Sequence, residues 1–119
     1  FRGDSHPEAF AQSISQLGPK LVVLKLGKKG AWMYSGKDNS FRHVPPAKAA
    51  AIDPTGAGDS FCGAFLASYV RSRDTMTAAA SAASAASIVV ESFDAREAMI
   101  RPSAEFESRK SNILKLMQL

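Results

Sequence analysis

The chain has 119 residues, of which 45% are hydrophobic, so it is long enough for one compact core and too short for two domains. The net charge of +4 comes from scattered lysines and arginines, not from a basic block interleaved with aromatics, which disfavours nucleic acid as a partner. No basic leader follows Phe1 and no apolar stretch approaches about 18 residues, so the sequence predicts neither a signal peptide nor a membrane span.

The single cysteine bears on the compartment of the protein. Cys62 has no second cysteine with which to form an internal disulfide, and it lies in the run Phe61-Cys62-Gly63-Ala64. Such a run is typical of a buried helix face in a reducing compartment. We therefore expect a buried thiol and a cytoplasmic protein.

The first predicted element is a short amphipathic helix. Phe10, Ile14 and Leu17 recur at helical spacing, and Gly18-Pro19 ends the pattern. Ser5 stands before the first of them and is of a residue type that caps helix N-termini. We expect the helix to start from Ser5.

Strand candidates follow this helix. Residues 21–26 are almost continuously apolar, which predicts a strand buried on both faces, as in a parallel sheet, and Gly27 ends it. Residues 31–34 and 40–44 are shorter strand candidates on either side of the turn-rich segment 35–39. These two are predicted to form a hairpin.

Helices are predicted for most of the remaining chain. A glycine-rich segment, residues 53–59, precedes a helix over residues 60–71, in which Phe61, Phe65 and Tyr69 are spaced four apart and share one face.

Two more helices complete the pattern. Asp74 or Thr75 can cap a second helix through the alanine- and serine-rich residues 78–90. Residues 103–119 mix charged and apolar side chains and predict a terminal amphipathic helix. The alternation of strands and helices indicates an α/β fold.

The glycine-rich segment Asp53-Pro54-Thr55-Gly56-Ala57-Gly58-Asp59 carries the candidate chemistry. Gly56 and Gly58 let the backbone turn tightly and approach a ligand closely. The first amides of the following helix favour an anion such as a transferring phosphoryl group. Asp59 beside them is placed to accept a proton from an attacking hydroxyl. Ordinary helix capping would use the same residue types, so the pattern by itself leaves both interpretations open.

Other candidate sites are weaker. The segment is not a Walker A loop, and Gly27-Lys28-Lys29-Gly30 lacks the glycine pattern of a dinucleotide fingerprint. His6 and His43 have no cysteine or carboxylate at metal-ligand spacing, which favours structural roles for both. Trp32 is predicted to belong to the core.

Residues 53–66 closely resemble the C-terminal signature of the ribokinase-like (phosphofructokinase B type) carbohydrate kinases. Residues 25–31 resemble the family's strand-to-turn segment that lies along the ATP phosphates and ribose. The helix over residues 78–87 resembles the one that closes the adenine pocket. The resemblance extends from about residue 20 to residue 90.

This resemblance assigns roles to individual residues. It implies that Asp59 is the catalytic base and that the backbone amides of Gly56, Ala57 and Gly58 form an anion hole. The residues implied in nucleotide binding are Lys25, Gly27, Gly30 and Gly58. Asp53 and Thr55 match positions that bind a monovalent cation, K⁺, in several family members. Residues 89–95 depart from the family's pattern, since many relatives have a Pro-Gly-Ala turn there.

The implied fold is the C-terminal half of a three-layer α/β/α architecture with a mostly parallel central sheet. Residues 1–119 would be the nucleotide-binding and catalytic part of a single kinase domain. The family's glycine-rich sugar-binding motif and its Asn-x-x-Glu motif, associated with magnesium and phosphate, are not found in these residues. We expect the N-terminal half of the domain to carry them.

The implied function is ATP-dependent phosphorylation of a hydroxyl, in the first place a primary one, on a small-molecule sugar or nucleoside, with Mg²⁺ neutralising the phosphates. A homodimer is left open. The alternative from another class is a catalytically silent nucleotide-binding or assembly module. The intact Gly56-Ala57-Gly58-Asp59 speaks against silence, whereas the altered turn after Val90 leaves it open. A dinucleotide-binding oxidoreductase is disfavoured, because no Gly-x-Gly-x-x-Gly follows a strand.

Overall fold

A computed structural model describes residues 6–47, 49, 56–92 and 100–118 of the chain. The chain divides into two units, Phe1–Val44 and Pro45–Leu119. The first contains one helix and a small sheet, and the second is helical in its described parts. No helix within the described ranges is long and apolar enough to cross a lipid bilayer.

The first unit is a helix followed by an antiparallel sheet. Helix α1 spans Pro7–Ser15, and the strands are β1 (Leu21–Lys25), β2 (Ala31–Ser35) and β3 (Ser40–Val44). The strand order is β1-β2-β3, and both neighbouring pairs are antiparallel. The predicted hairpin between β2 and β3 is therefore confirmed.

Strand β1 departs from its prediction. It pairs antiparallel with β2, and only Val22 of its five residues is buried, so burial on both faces is not observed. The reason is that a short apolar run indicates burial but does not specify the direction of the neighbouring strand. The described strands contain no parallel pair, and the mostly parallel central sheet therefore stays a prediction.

Helix α1 covers one face of this sheet. Ala11 from the helix packs with Val22 and Tyr34 from the strands, and Ile14, Leu24 and Phe41 surround them. The N-cap is His6 rather than Ser5, which lies outside the described residues, and Pro7 takes the first helical position. Proline suits that position because its fixed φ is helical and its missing N–H would have no helical partner.

Trp32 is half-buried on β2 rather than fully in the core. Its ring stacks on that of Phe41, with centroids 4.6 Å apart. The centroid of the His43 ring, also on β3, lies 4.8 Å from that of Trp32. The antiparallel register pairs Trp32 with His43, which explains their contact. The three rings form a short aromatic row on the hairpin.

The second unit is built from three helices in its described residues: α2 (Ala57–Ser72), α3 (Thr75–Val90) and α4 (Ser103–Met117). Helix α3 packs against both α2 and α4. Its alanines and serines are buried almost throughout, and side chains of this size let the helix backbones approach closely. The three helices predicted from the sequence are confirmed, with shifts of a few residues at their starts.

Helix α2 turns its aromatic face inward, as predicted. Phe61 and Phe65 are buried, and the hydroxyl of Ser68 on the same face lies 3.3 Å from that of Ser81 in α3. The prediction of a buried Cys62 is wrong, because this residue is exposed. Adjacent residues of a helix are rotated by about 100°, so the position after Phe61 faces away from α3.

Asp74 caps the N-terminus of α3, in agreement with the sequence. Its carboxylate accepts a hydrogen bond from the Thr77 amide at 3.2 Å and another from the Thr77 hydroxyl. The hydrogen bond from the Thr77 side chain is the main cause that lowers the pKa of Asp74. The ionised form is therefore favoured in the folded protein.

We expect Asp74→Ala to lower the free energy of unfolding by about 1 kcal/mol, whereas Asp74→Ser should retain most of it, because serine also caps helices. The folded pKa is depressed, so this contribution is present at neutral pH and is lost as the pH falls below about 4. Urea unfolding of the three proteins at pH 7 and pH 3 measures both effects. A difference between wild type and Asp74→Ala that is as large at pH 3 as at pH 7 would contradict the role of the ionised carboxylate.

Candidate functional site

The start of α2 is formed by a glycine in a left-handed conformation. Gly56 is the N-cap, with φ +83° and ψ −7°, and its carbonyl accepts the Ser60 amide at 2.9 Å. A residue with a Cβ adopts this conformation only at a cost, which explains glycine at this position. Glycine itself brings no side-chain oxygen to the amides of the first turn, and a helix N-terminus favours an anion.

The residues predicted for the anion hole lie together in this first turn. Gly56, Gly58 and Asp59 are exposed, and Ala57 is half-buried. The partial positive charge of a helix N-terminus favours both an approaching anion and the carboxylate of Asp59. The turn thus combines backbone donors with an exposed carboxylate, which is what capture of a phosphoryl group beside a proton acceptor requires.

The end of α3 lies beside this turn. A Cβ built on Gly56 would stand 3.9 Å from Cγ1 of Val89, which is ordinary van der Waals contact. Val89 belongs to the last turn of α3, so the two helices meet at the N-cap of α2. Nothing in the residue type of Val89 signals this proximity in the sequence.

A second group of predicted residues lies in the first unit, after β1. Lys25 is the exposed last residue of that strand, and a 3₁₀ turn follows over Gly27–Lys29. Gly27 has φ +61°, and Gly30 has φ +89° with ψ −135°, a combination that only glycine adopts readily. The Leu26 amide donates to the Gly30 carbonyl at 2.8 Å and closes the turn.

His43 contacts the same turn. One of its ring nitrogens lies 2.9 Å from the carbonyl oxygen of Lys29. The sequence favours a structural role for His43 but does not predict its position against the glycine turn. The signal was available in the hairpin register, since the residue that pairs with Trp32 also reaches the turn that precedes β2.

The predicted site residues therefore fall into two groups, one in each unit. Asp59 and the three residues before it form the start of α2, and Lys25, Gly27 and Gly30 form the turn after β1. Asp53 and Thr55, predicted for a monovalent cation, lie outside the described residues. Among the residues that the structure describes, no group of three or more histidines, cysteines or carboxylates could hold a metal ion.

The chain matches the family model described as pfkB family carbohydrate kinase over residues 4–101. Over 63 residues it is 46% identical to a cytidine kinase of Thermococcus kodakarensis, which covers 53% of this chain and 23% of that protein. The fold is similar to that of a ribokinase from Thermotoga maritima, with a TM-score of 0.77 and 32% identity over 91% of this chain and 35% of that one.

A putative ribokinase II of E. coli, in complex with ATP and Mg²⁺, is similar to the same degree. The TM-score is 0.77 and the identity 31%, over 92% of this chain and 35% of that chain. The chain thus spans about a third of these neighbours and less of the cytidine kinase.

Gly56, at the start of α2, and Gly63, within the helix, allow a matched test of the left-handed turn. We expect Gly56→Ala to lower the free energy of unfolding by about 1 kcal/mol, because φ is positive although there is space for the methyl group. Gly63→Ala should instead raise it by about 1 kcal/mol, since this residue is helical and a Cβ there meets nothing within 4 Å. Urea unfolding of both variants measures these changes. Equal effects of the two substitutions would show that residue 56 is not held in the left-handed conformation.

Proposed function

The chain belongs to the pfkB family of carbohydrate kinases, and on this premise we propose that it is the C-terminal part of a kinase domain that transfers a phosphoryl group from ATP to a hydroxyl of a sugar or nucleoside. The single observation that carries the proposal is the start of α2, where a left-handed glycine leads into a turn that ends in an exposed Asp59. A cytidine kinase and ribokinases among the similar proteins support this substrate class.

In the proposed reaction, the amides of Gly56, Ala57 and Gly58 stabilise the charge on the transferring phosphoryl group. The Asp59 carboxylate accepts the proton of the attacking hydroxyl as the new oxygen–phosphorus bond forms and the bond to the leaving ADP breaks. The residue is exposed at the helix start, where substrate can reach it. Its carboxylate needs no rearrangement of the helix to act.

The nucleotide is proposed to contact Lys25, Gly27, Gly30 and Gly58. The positive φ angles of Gly27 and Gly30 support this assignment, because they allow a ligand to approach the backbone without a Cβ in the way. At Gly27, nothing lies within 4 Å of the position of a Cβ. The cationic end of Lys25 would complement phosphate charge.

Mg²⁺, when bound, neutralises the phosphate charge during transfer. Among the described residues, no group of three or more histidines, cysteines or carboxylates could hold Mg²⁺ by itself. We therefore assign its ligands to the remainder of the kinase domain. For K⁺, Asp53 and Thr55 remain the proposed residues on the basis of the sequence resemblance.

The apolar surface of α2 supports the proposal that this chain is part of a larger domain. Between Asp59 and Arg71 the helix has no charged residue, and Leu66 and Val70, on the face away from α3, are 64% and 67% exposed. A helix that is apolar all round is normally buried on all sides. We propose that the remainder of the domain, about two thirds of the neighbours' length, covers this face.

Asp59→Asn tests the catalytic assignment. In a complete kinase that contains this chain, we expect kcat to fall by roughly 10²–10⁴-fold, because a positioned general base is lost. The thermal midpoint and the KM for ATP should hardly change, since asparagine keeps the shape of the side chain. A substrate panel of nucleosides, pentoses and hexoses provides the assay. If Asp59 only stabilises the helix start, kcat of the variant will equal that of wild type. If the protein is a silent nucleotide-binding module, neither form will show turnover.

Leu66→Glu tests the proposed covering of α2. The 119-residue chain alone should self-associate at micromolar concentration through its exposed apolar face, and this variant should shift it toward the monomer. Leu116→Glu is the matched control, because Leu116 is 53% exposed on α4, away from that face. Sedimentation velocity measures the difference. A wild-type chain that stays monomeric up to high concentration would contradict the proposed interface.

A further inference from the structure

The position of the α2 start depends on the last turn of α3. Val89 lies in that turn, and its Cγ1 is 3.9 Å from where a Cβ of Gly56 would be. A displacement of the end of α3 would therefore move a side chain that lies beside Gly56.

A charged cluster holds the end of α3. Oε1 of Glu91, the C-cap of α3, accepts hydrogen bonds from Nη2 of Arg101 at 2.8 Å and from Nη2 of Arg109 at 2.7 Å. Nη1 of Arg109 donates to the Ser87 hydroxyl of α3 at 2.8 Å. The side chains of Glu91, Arg101 and Arg109 are only 14–20% exposed. The cluster therefore joins the last turn of α3 to Arg109 in α4 and to Arg101, two residues before α4 begins.

The sign of the charge at this position is informative. The C-terminus of a helix carries partial negative charge and disfavours a carboxylate, so Glu91 would weaken α3 if it stood alone. Two guanidinium groups in direct contact reverse that effect. Glu91 thus stabilises the protein through its ion pairs, which fix α3 relative to α4, and not through an interaction with the α3 dipole.

Glu105 provides an internal comparison. Its carboxylate accepts hydrogen bonds from Nε and Nη2 of Arg101, four residues earlier, and it lies 3.6 Å from Arg109. The hydrogen bond from Arg101 is the main cause that lowers the pKa of Glu105. These ion pairs stay within α4 and its approach, so they stabilise that segment without reaching α3. The two glutamates share their arginines and differ in what they connect.

We propose that Glu91 is a positioning residue for the start of α2: its ion pairs with Arg101 and Arg109 fix the last turn of α3, and Val89 in that turn fixes Gly56. The proposal rests on the proposed function, in which the amides that follow Gly56 receive the phosphoryl group. It explains why this chain has a glutamate where the helix ends. The residue touches no reacting atom and acts through Val89 alone.

The first test uses a complete kinase that contains this chain and needs no activity. Glu91→Gln should shift the backbone amide NMR resonances of Gly56, Ala57 and Gly58, whereas Glu105→Gln, the matched control, should leave them in place. Val89→Ala keeps every ion pair and should shift the same three amides, which guards against misfolding of the Gln variant. The proposal is overturned if the three amide resonances are unchanged in both Glu91→Gln and Val89→Ala. It is also overturned if Glu105→Gln shifts them as much as Glu91→Gln does.

The second test measures turnover in a complete kinase that contains this chain. Glu91→Gln should lower kcat roughly tenfold with little change in either KM, because a small displacement of a catalytic group is costly. Glu91→Asp, which keeps the charge, should recover part of the loss. In the double variant with Val89→Ala, the losses should not add, since both act on one contact.

These outcomes separate the two proposals. If Asp59→Asn leaves kcat unchanged, the proposed function fails, while shifted amides in Glu91→Gln still establish the contact pathway. If Asp59→Asn lowers kcat as expected but Glu91→Gln does not, the positioning role of Glu91 fails and the catalytic role of Asp59 stands. A loss of thermal stability in Glu91→Gln with normal kcat well below its melting temperature would also show a merely structural role.

Discussion

The left-handed turn at Gly56 is the constraint on which the candidate site depends. With φ at +83°, the chain enters α2 without a side-chain cap and with its first turn at the protein surface. A serine or aspartate in a standard cap would place an oxygen over the amides that an anion needs. The glycine therefore gives up a common source of helix stability. Val89 of the neighbouring helix lies beside this glycine, with Cγ1 3.9 Å from where a Cβ would stand.

Helix α3 occupies the middle of the helical unit and accounts for much of its order. Ala78, Ala80, Ala82 and Ser84 are fully inaccessible to solvent, and α2 and α4 pack on either side of them. The buried hydroxyls have partners: that of Ser84, for instance, donates to the carbonyl oxygen of Phe106 at 2.7 Å. The buried serines of α3 thus avoid the cost of an unpaired polar group, and each links α3 to a neighbouring helix.

The sequence predicted the elements of this structure better than their contacts. Periodicity and capping residues located the four helices and the hairpin of the described residues, because these signals are local, and residue type narrowed the cap of α3 to Asp74 or Thr75. The direction of the strand beside β1 and the exposure of Cys62 depend on which neighbour packs where, and local patterns do not carry that information. The four residues at the start of α2 were found through a motif, since glycines and an aspartate at fixed spacing can be recognised in one dimension. Glu91 and Val89 could not be found in this way, because their partners lie far away in sequence.

The small side chains of α3 also affect how the chain can diverge. At positions packed this closely, the volume of the side chain decides whether a substitution is accepted, and an added methylene forces neighbours out of their rotamers. Alanine and serine can replace one another where the hydroxyl finds a partner, and glycine costs about 1 kcal/mol in a helix, whereas valine or leucine cannot enter without moving α2 or α4. Genetic drift in this helix should therefore exchange small residues for one another much more often than it admits large ones. Percentage identity counted over such a segment understates common ancestry, and a comparison of residue volumes along α3 would trace it to greater evolutionary distance.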